Sequence, residues 1–209
     1  WFDLTLFIGA FATLFVIIDP PGCAPIFATL TQGTSKAHRR NMAFKSVGVA
    51  AIILFGFAVS GEWLFAKLGI SMDALRIAGG IMLFIIGLNM VFEKRTEKRE
   101  DRAEDVLEEI DDPEDISVFP MGIPMIAGPG TMASLLLLNS EAPTLGGSLT
   151  VMLALFAVLI ITLISFLAAG ALLKLLGKTF TDVLTRVLGV LLATLASQFI
   201  IDGIRGALF

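Results

Sequence analysis

The chain has 209 residues, of which 56% are hydrophobic and 16% charged, and its mean hydropathy is +0.88. That leaves too few charges to cover the surface of a soluble domain of this size, and a formal net charge of −4 without a basic stripe excludes a nucleic-acid surface. A single cysteine, Cys23, and a single histidine, His38, exclude an internal disulfide and a zinc site of three or four protein ligands.

Six hydrophobic segments follow in chain order, at about residues 4–30, 45–66, 72–92, 116–138, 149–173 and 182–204. Residues 116–140 and 142–173 carry no charge at all. A helix needs about 20 apolar residues to cross a hydrocarbon core of roughly 30 Å. Barrel strands alternate apolar and polar positions, whereas these segments are apolar on every face, so the expectation is an all-α membrane protein with six transmembrane helices. No basic start followed by a small-residue cleavage site marks the N-terminal stretch as a signal peptide. Trp1 and Trp63 fall near predicted helix ends, where indole rings favour the membrane interface.

Residues 93–117 hold twelve acidic and five basic residues and read as a solvated tether, with a helical turn or two at 103–110. If all six segments cross, one side receives twelve Lys and Arg residues and the other three. The positive-inside rule then puts the tether in the cytoplasm and both termini outside it, in a cytoplasmic (inner) membrane.

The tether separates two similar halves, residues 1–92 and 118–209. Pro21-Gly22 matches Pro129-Gly130 at an offset of 108, Leu68-Gly69 matches Leu176-Gly177 at 108, Gly61 matches Gly170 at 109, and Arg76-Ile77-Ala78-Gly79 matches Arg186-Val187-Leu188-Gly189 at 110. With three spans per half, the second half enters from the opposite side. The expected architecture is two inverted-topology repeats of three, a transporter arrangement with its site at the repeat interface near the midplane.

The first and fourth segments should be discontinuous. Asp19 and Pro20 both precede a proline, which pushes them out of the helical region. Ala127-Gly128-Pro129-Gly130 breaks the fourth segment likewise, helped by Pro120 and Pro124. Each break leaves free carbonyls on one half-helix and free N–H groups on the next. A zwitterionic amino acid suits that pair. Its carboxylate would meet N–H groups near Gly22 and Cys23 or Gly130 and Thr131, and its ammonium the carbonyls near Ile18 or Ala127. Asp19 is the only charge in the middle of a predicted span, fit to cap the second half-helix or to bind substrate or a cation. The candidate substrate-binding set is Asp19, Pro20, Pro21, Gly22 and Cys23 from the first break, Ala127, Gly128, Pro129, Gly130, Thr131 and Ser134 from the second, and the amides Asn89 and Gln198. Met125 is a further wall candidate. Asp73 with Arg76 and Asp182 with Arg186 are spaced as ion pairs near helix starts.

At these motifs the sequence resembles the MarC family of membrane proteins, which includes small-neutral-amino-acid transporters of the SnatA type. The resemblance rests on Asp19-Pro20-Pro21-Gly22 with Pro25-Ile26-Phe27, Arg76-Ile77-Ala78-Gly79-Gly80, Pro120 through Pro124 to Ala127-Gly128-Pro129-Gly130-Thr131, and Arg186 with Gly189 and Gln198. It covers nearly the whole chain. It implies six spans, periplasmic termini, and transport of glycine- or alanine-sized amino acids coupled to an ion gradient.

A channel, or an exporter of another small solute, shares the broken helices. An intramembrane enzyme does not fit, because no span carries a histidine for acid–base work, a metal cluster or a G-x-S-x-G turn. No metal or other cofactor is expected. The expected partners are the lipid bilayer, a small neutral amino acid and a coupling cation (H+ or Na+); a homo-oligomer is compatible with the chain.

Overall fold

The computed structural model describes residues 3–109 and 116–208, and every regular element among them is helical. In order these are α1 (Leu4–Ile18), α2 (Pro20–Leu30), α3 (Lys36–Lys67), α4 (Met72–Val91), α5 (Lys94–Glu109), an irregular wide-turn segment (Ser117–Ile126), α6 (Pro129–Ser140), α7 (Leu145–Leu167) and α8 (Ala169–Leu208). Five stretches are long and apolar enough to cross a membrane, six if the bent pair of the wide-turn segment and α6 counts as one. The protein is an all-helical membrane protein.

Short polar residues start the helices. Asp3 accepts from the Leu6 N–H, Ser35 from His38, Ser71 from Ala74 and Thr144 from Gly147, each at 3.0–3.1 Å. These caps satisfy first-turn donors that have no helical partner. The Ser35 cap starts α3 at Lys36, nine positions ahead of the expected apolar boundary, because charged residues outside the bilayer continue the same helix. For the same reason α8 runs to 40 residues, of which Phe180–Leu208 is the apolar stretch. Periodicity of apolar residues marks the span, and the hydrogen-bond ladder runs past it.

The two elements containing breaks lie centrally. Leu14, Ile18, Leu135 and Leu138 pack into one buried cluster with α3 and α7, while Val16, Ile17, Leu136 and Leu137 pack into a second with α4 and α8. α4 and α8 run antiparallel in close contact. An added Cβ on Gly80 would meet the Ala196 carbonyl at 2.9 Å, one on Gly87 the Ala193 nitrogen at 2.8 Å, and one on Gly203 the Asp73 carbonyl at 2.8 Å. Such glycines let backbones approach where lipid offers no hydrophobic drive between helices. Outward faces carry exposed Ile52, Val59, Phe156, Ile164, Val187 and Val190, as a lipid-facing surface requires. Trp63 is exposed near the end of α3, as expected of an interface anchor; Trp1 lies outside the described residues.

Residues 93–117 differ from the expected tether. Lys94–Glu109 is helical, and Arg99 on it is buried. Residues 110–115, including the last of the expected turns, lie outside the described residues. The chain turns into α5 at Glu93, which adopts φ 61 and pairs with Arg186. Arg186 therefore does not pair with Asp182 as its spacing suggested, because α4 delivers Glu93 alongside α8. The Asp73–Arg76 pair does form, at 3.0 Å.

Candidate functional site

The site starts from Asp19. It ends α1 and begins α2 in the left-handed region, φ 56 and ψ 63. Two constraints meet there. Pro20 removes the N–H that would continue the ladder and disfavours helical backbone at the residue before it, and Asp is among the few residues that tolerate left-handed backbone. Pro20 itself, expected to leave the helical region, is instead the first helical residue of α2, where its missing N–H costs no bond. One carboxylate oxygen, Oδ1, accepts from the Gly22 N–H at 3.1 Å and caps α2. Gly22 has to be glycine here, since a Cβ would lie 2.2 Å from Asp19 Oδ2. Oδ2 takes the second partner, Arg99 Nη1 at 3.1 Å, in a buried ion pair. Asp19 thus caps α2 with one oxygen and pairs with a guanidinium of the same chain through the other.

The second break is built differently. Phe119 and Ile123 each precede a proline and have extended backbone, so Ser117–Ile126 makes wide i→i+5 turns, such as Ala127 N–H to the Gly122 carbonyl at 2.9 Å. Gly128 then turns the chain, and α6 departs bent by 49° from the preceding segment. No side chain caps α6, and Pro129 stands in its first turn. The N–H groups of Gly130 and Thr131 therefore point out of the helix start with no partner in the helix.

One detail relates the breaks. Cys23 Sγ donates to the Ile18 carbonyl at 3.3 Å, and Thr131 Oγ1 donates to the Ile126 carbonyl at 2.9 Å. Both links span five residues, and both donor and acceptor are related by the offset of 108 read from the sequence. In each case a side chain supplies a partner for a carbonyl that the break has stranded in a buried position.

A cavity of about 230 Å³ lies between the last turn of α1, at Ile17, and the start of α6, at Gly128, Pro129, Gly130 and Thr131. Pro124 and Met125 form one wall, Ile86 and Asn89 of α4 another, and Arg95, Lys98 and Arg99 of α5 line a third side. The Arg95 guanidinium donates through Nη2 to the Ile17 carbonyl and through Nη1 to Met90 Sδ. Arg99 Nη2 lies 3.5 Å from the Ile18 carbonyl. The free carbonyls at the end of α1 are thus met by guanidinium groups.

Of the expected site residues, Gly128, Pro129, Gly130, Thr131, Asn89 and Met125 border the cavity. Ala127 is buried next to it. Asp19, Pro20, Pro21, Gly22 and Cys23 do not border it; the first break reaches it through Ile17 and the Asp19–Arg99 pair. Ser134 lies one turn further along α6 and donates to the Gly130 carbonyl at 2.9 Å. Gln198 is not brought to the site. It is exposed on α8 and donates to Asp202 one turn on, at 2.9 Å, because α8 turns a different face toward α4.

The residues missed from sequence are those of α5. Their signal was present: Lys94, Arg95, Lys98 and Arg99 recur at helical spacing on one side of the segment, while Glu97, Glu100 and Asp101 fall between them. A net charge count over residues 93–117 hides that segregation.

The sequence model described as MarC family integral membrane protein matches residues 4–208. The chain is similar to a UPF0056 membrane protein of Methanocaldococcus jannaschii, 39% identical over 99% of each chain. A UPF0056 membrane protein of Archaeoglobus fulgidus is 35% identical, over 96% of this chain and 93% of that one. The UPF0056 membrane protein YvbG of Bacillus subtilis is 36% identical, over 95% and 94%. No solved structure matches the chain.

Proposed function

The chain belongs to the MarC family of integral membrane proteins, and from that premise we propose that it is a secondary transporter of small neutral amino acids, of glycine or alanine size, driven by a proton or sodium gradient. On this reading residues 1–92 and 118–209 are inverted-topology repeats, α1–α2 and the wide-turn segment with α6 are discontinuous spans, and both termini face away from the cytoplasm across an inner membrane. The protein is then a carrier and not an enzyme.

The observation that carries the reading is the cavity between the carbonyl end of α1 and the N–H end of α6. Opposite helix ends face a volume smaller than the roughly 300–1,000 Å³ of drug-sized sites, which suits a short zwitterion. The matched links of Cys23 to Ile18 and Thr131 to Ile126 support the repeat, as does the antiparallel packing of α4 on α8. In this conformation Arg95 and Arg99 occupy the carbonyls and the carboxylate that a substrate ammonium or coupling cation needs. Loading from the α5 side then requires α5 to withdraw, exposing Asp19 and the end of α1. Rocking one repeat against the other about this site gives alternating access.

Reconstituted protein tests the reading. Uptake of labelled glycine or alanine into proteoliposomes should saturate, should depend on an imposed proton or sodium gradient, and should show counterflow. Flux that neither saturates nor counterflows identifies a channel, and no flux of any small neutral amino acid under either gradient ends the proposal.

A further inference from the structure

We infer that Arg95 and Lys98 of α5, together with the start of α6, form a carboxylate-binding subsite, so that α5 is a working part of the binding site. The inference deepens the transport reading and rests on it for the nature of the solute.

Three cationic side chains border that cavity, and Asp19 neutralises one of them, Arg99. Neither Arg95 nor Lys98 pairs with a carboxylate among the described residues. Arg95 spends two donors, on the Ile17 carbonyl and Met90 Sδ, neither of them an anion. A guanidinium has five N–H groups in a fork that matches a carboxylate. The single Asp19 carboxylate faces two guanidinium groups, Arg99 in direct contact and Arg95 nearby, so an excess of positive charge stays partly buried, and a bound anion offsets it.

The other side of the cavity presents donors as well. Gly130 and Thr131 border it at the uncapped start of α6, where the helix dipole favours negative charge. The Thr131 hydroxyl is turned away, donating to Ile126. Two cationic side chains and a helix start thus converge on one small volume. A carboxylate accepts from all of them, whereas a bare ammonium is repelled.

The subsite makes a requirement of the solute: a ligand without a carboxylate is rejected even when it carries the ammonium. The test is equilibrium binding of labelled glycine to the purified full-length protein in detergent, with acetate, glycinamide and inorganic phosphate as competitors. Acetate should compete, and glycinamide and phosphate should not. Arg95→Gln should weaken glycine and acetate binding about tenfold or more, and Lys98→Gln severalfold. Arg95→Lys, which keeps the charge and loses the fork, should fall between, and it keeps the test open if Arg95→Gln does not fold. Arg40→Gln, on α3, should bind as the unmodified protein does. Failure of the unmodified protein to bind either carboxylate overturns the subsite. So does competition by glycinamide equal to that of acetate, stronger competition by phosphate, or unchanged binding in the Arg95 and Lys98 variants. Carboxylate binding with the expected variant pattern but no uptake in proteoliposomes sinks the transport reading and leaves the subsite standing.

Discussion

Arg99 pairs with Asp19 across eighty positions of sequence, at 3.1 Å, with both side chains buried. The pair fastens a highly charged helix over the break in the first span. Breaking a buried ion pair from one side leaves an uncompensated charge, at a cost of about 3–5 kcal/mol. Asp19→Asn keeps the α2 cap and tolerates the left-handed backbone, so its loss reports the pair and not the turn. Either Asp19→Asn or Arg99→Gln should lower the apparent Tm in detergent by on the order of ten degrees. The double variant should lose clearly less than the sum of the two. Additive losses would mean that the pair contributes no coupling.

The Thr131 link carries its own expectation. Thr131→Val removes the donor to the Ile126 carbonyl and should cost about 1–3 kcal/mol, whereas Thr131→Ser keeps it and should cost much less. Cys23→Ala should cost less than Thr131→Val, because a thiol is the weaker donor. Thermal unfolding of the three variants decides the order, and a Thr131→Ser loss as large as that of Thr131→Val would show that the hydroxyl is not the relevant group.

Glycines on different faces should respond with opposite sign. A Cβ on Gly87 would lie 2.8 Å from the Ala193 nitrogen and 2.9 Å from the Gly189 carbonyl, backbone atoms that cannot swing aside. Gly87→Ala should therefore reduce folded yield and apparent Tm. Gly56, inside α3 with nothing within 4 Å of its would-be Cβ, should be stabilised by alanine by roughly 0.5–1 kcal/mol. Equal responses at the two positions would refute the close α4–α8 contact.

Orientation is testable with single cysteines in a Cys23→Ala background. Thr34 and Glu141 are both exposed at helix ends. An impermeant maleimide applied to intact cells should label a cysteine at position 141 and spare one at position 34. The reverse pattern would invert the proposed topology, and labelling at both would show that α2 does not reach the cytoplasmic side.

What could be read in advance followed the range of the chemistry. Proline acts on itself and its neighbour, so Asp19-Pro20-Pro21 and Gly128-Pro129 marked their breaks without any knowledge of packing. The caps at Asp3, Ser35, Ser71 and Thr144 are equally local. The paired amides show the opposite case. Asn89 and Gln198 occupy nearly matching positions, yet Asn89 borders the cavity and Gln198 lies on an exposed face of α8 with Asp202. Sequence offset relates positions along two helices but says little about which way each helix is turned.

By itself the sequence determined that the chain is helical and membrane-embedded, roughly where its apolar stretches lie, and where prolines interrupt the helices at Asp19 and Gly128. These follow from hydropathy summed over about 20 residues and from steric effects that act between neighbours. Only the tertiary structure decided that α5 lies against the first break, that Arg99 meets Asp19 in a buried pair, and that Arg95 and Lys98 border the cavity at α6. A charge takes its partner from whatever the folded path places within a few ångströms, and at a separation of eighty residues no local pattern encodes that distance.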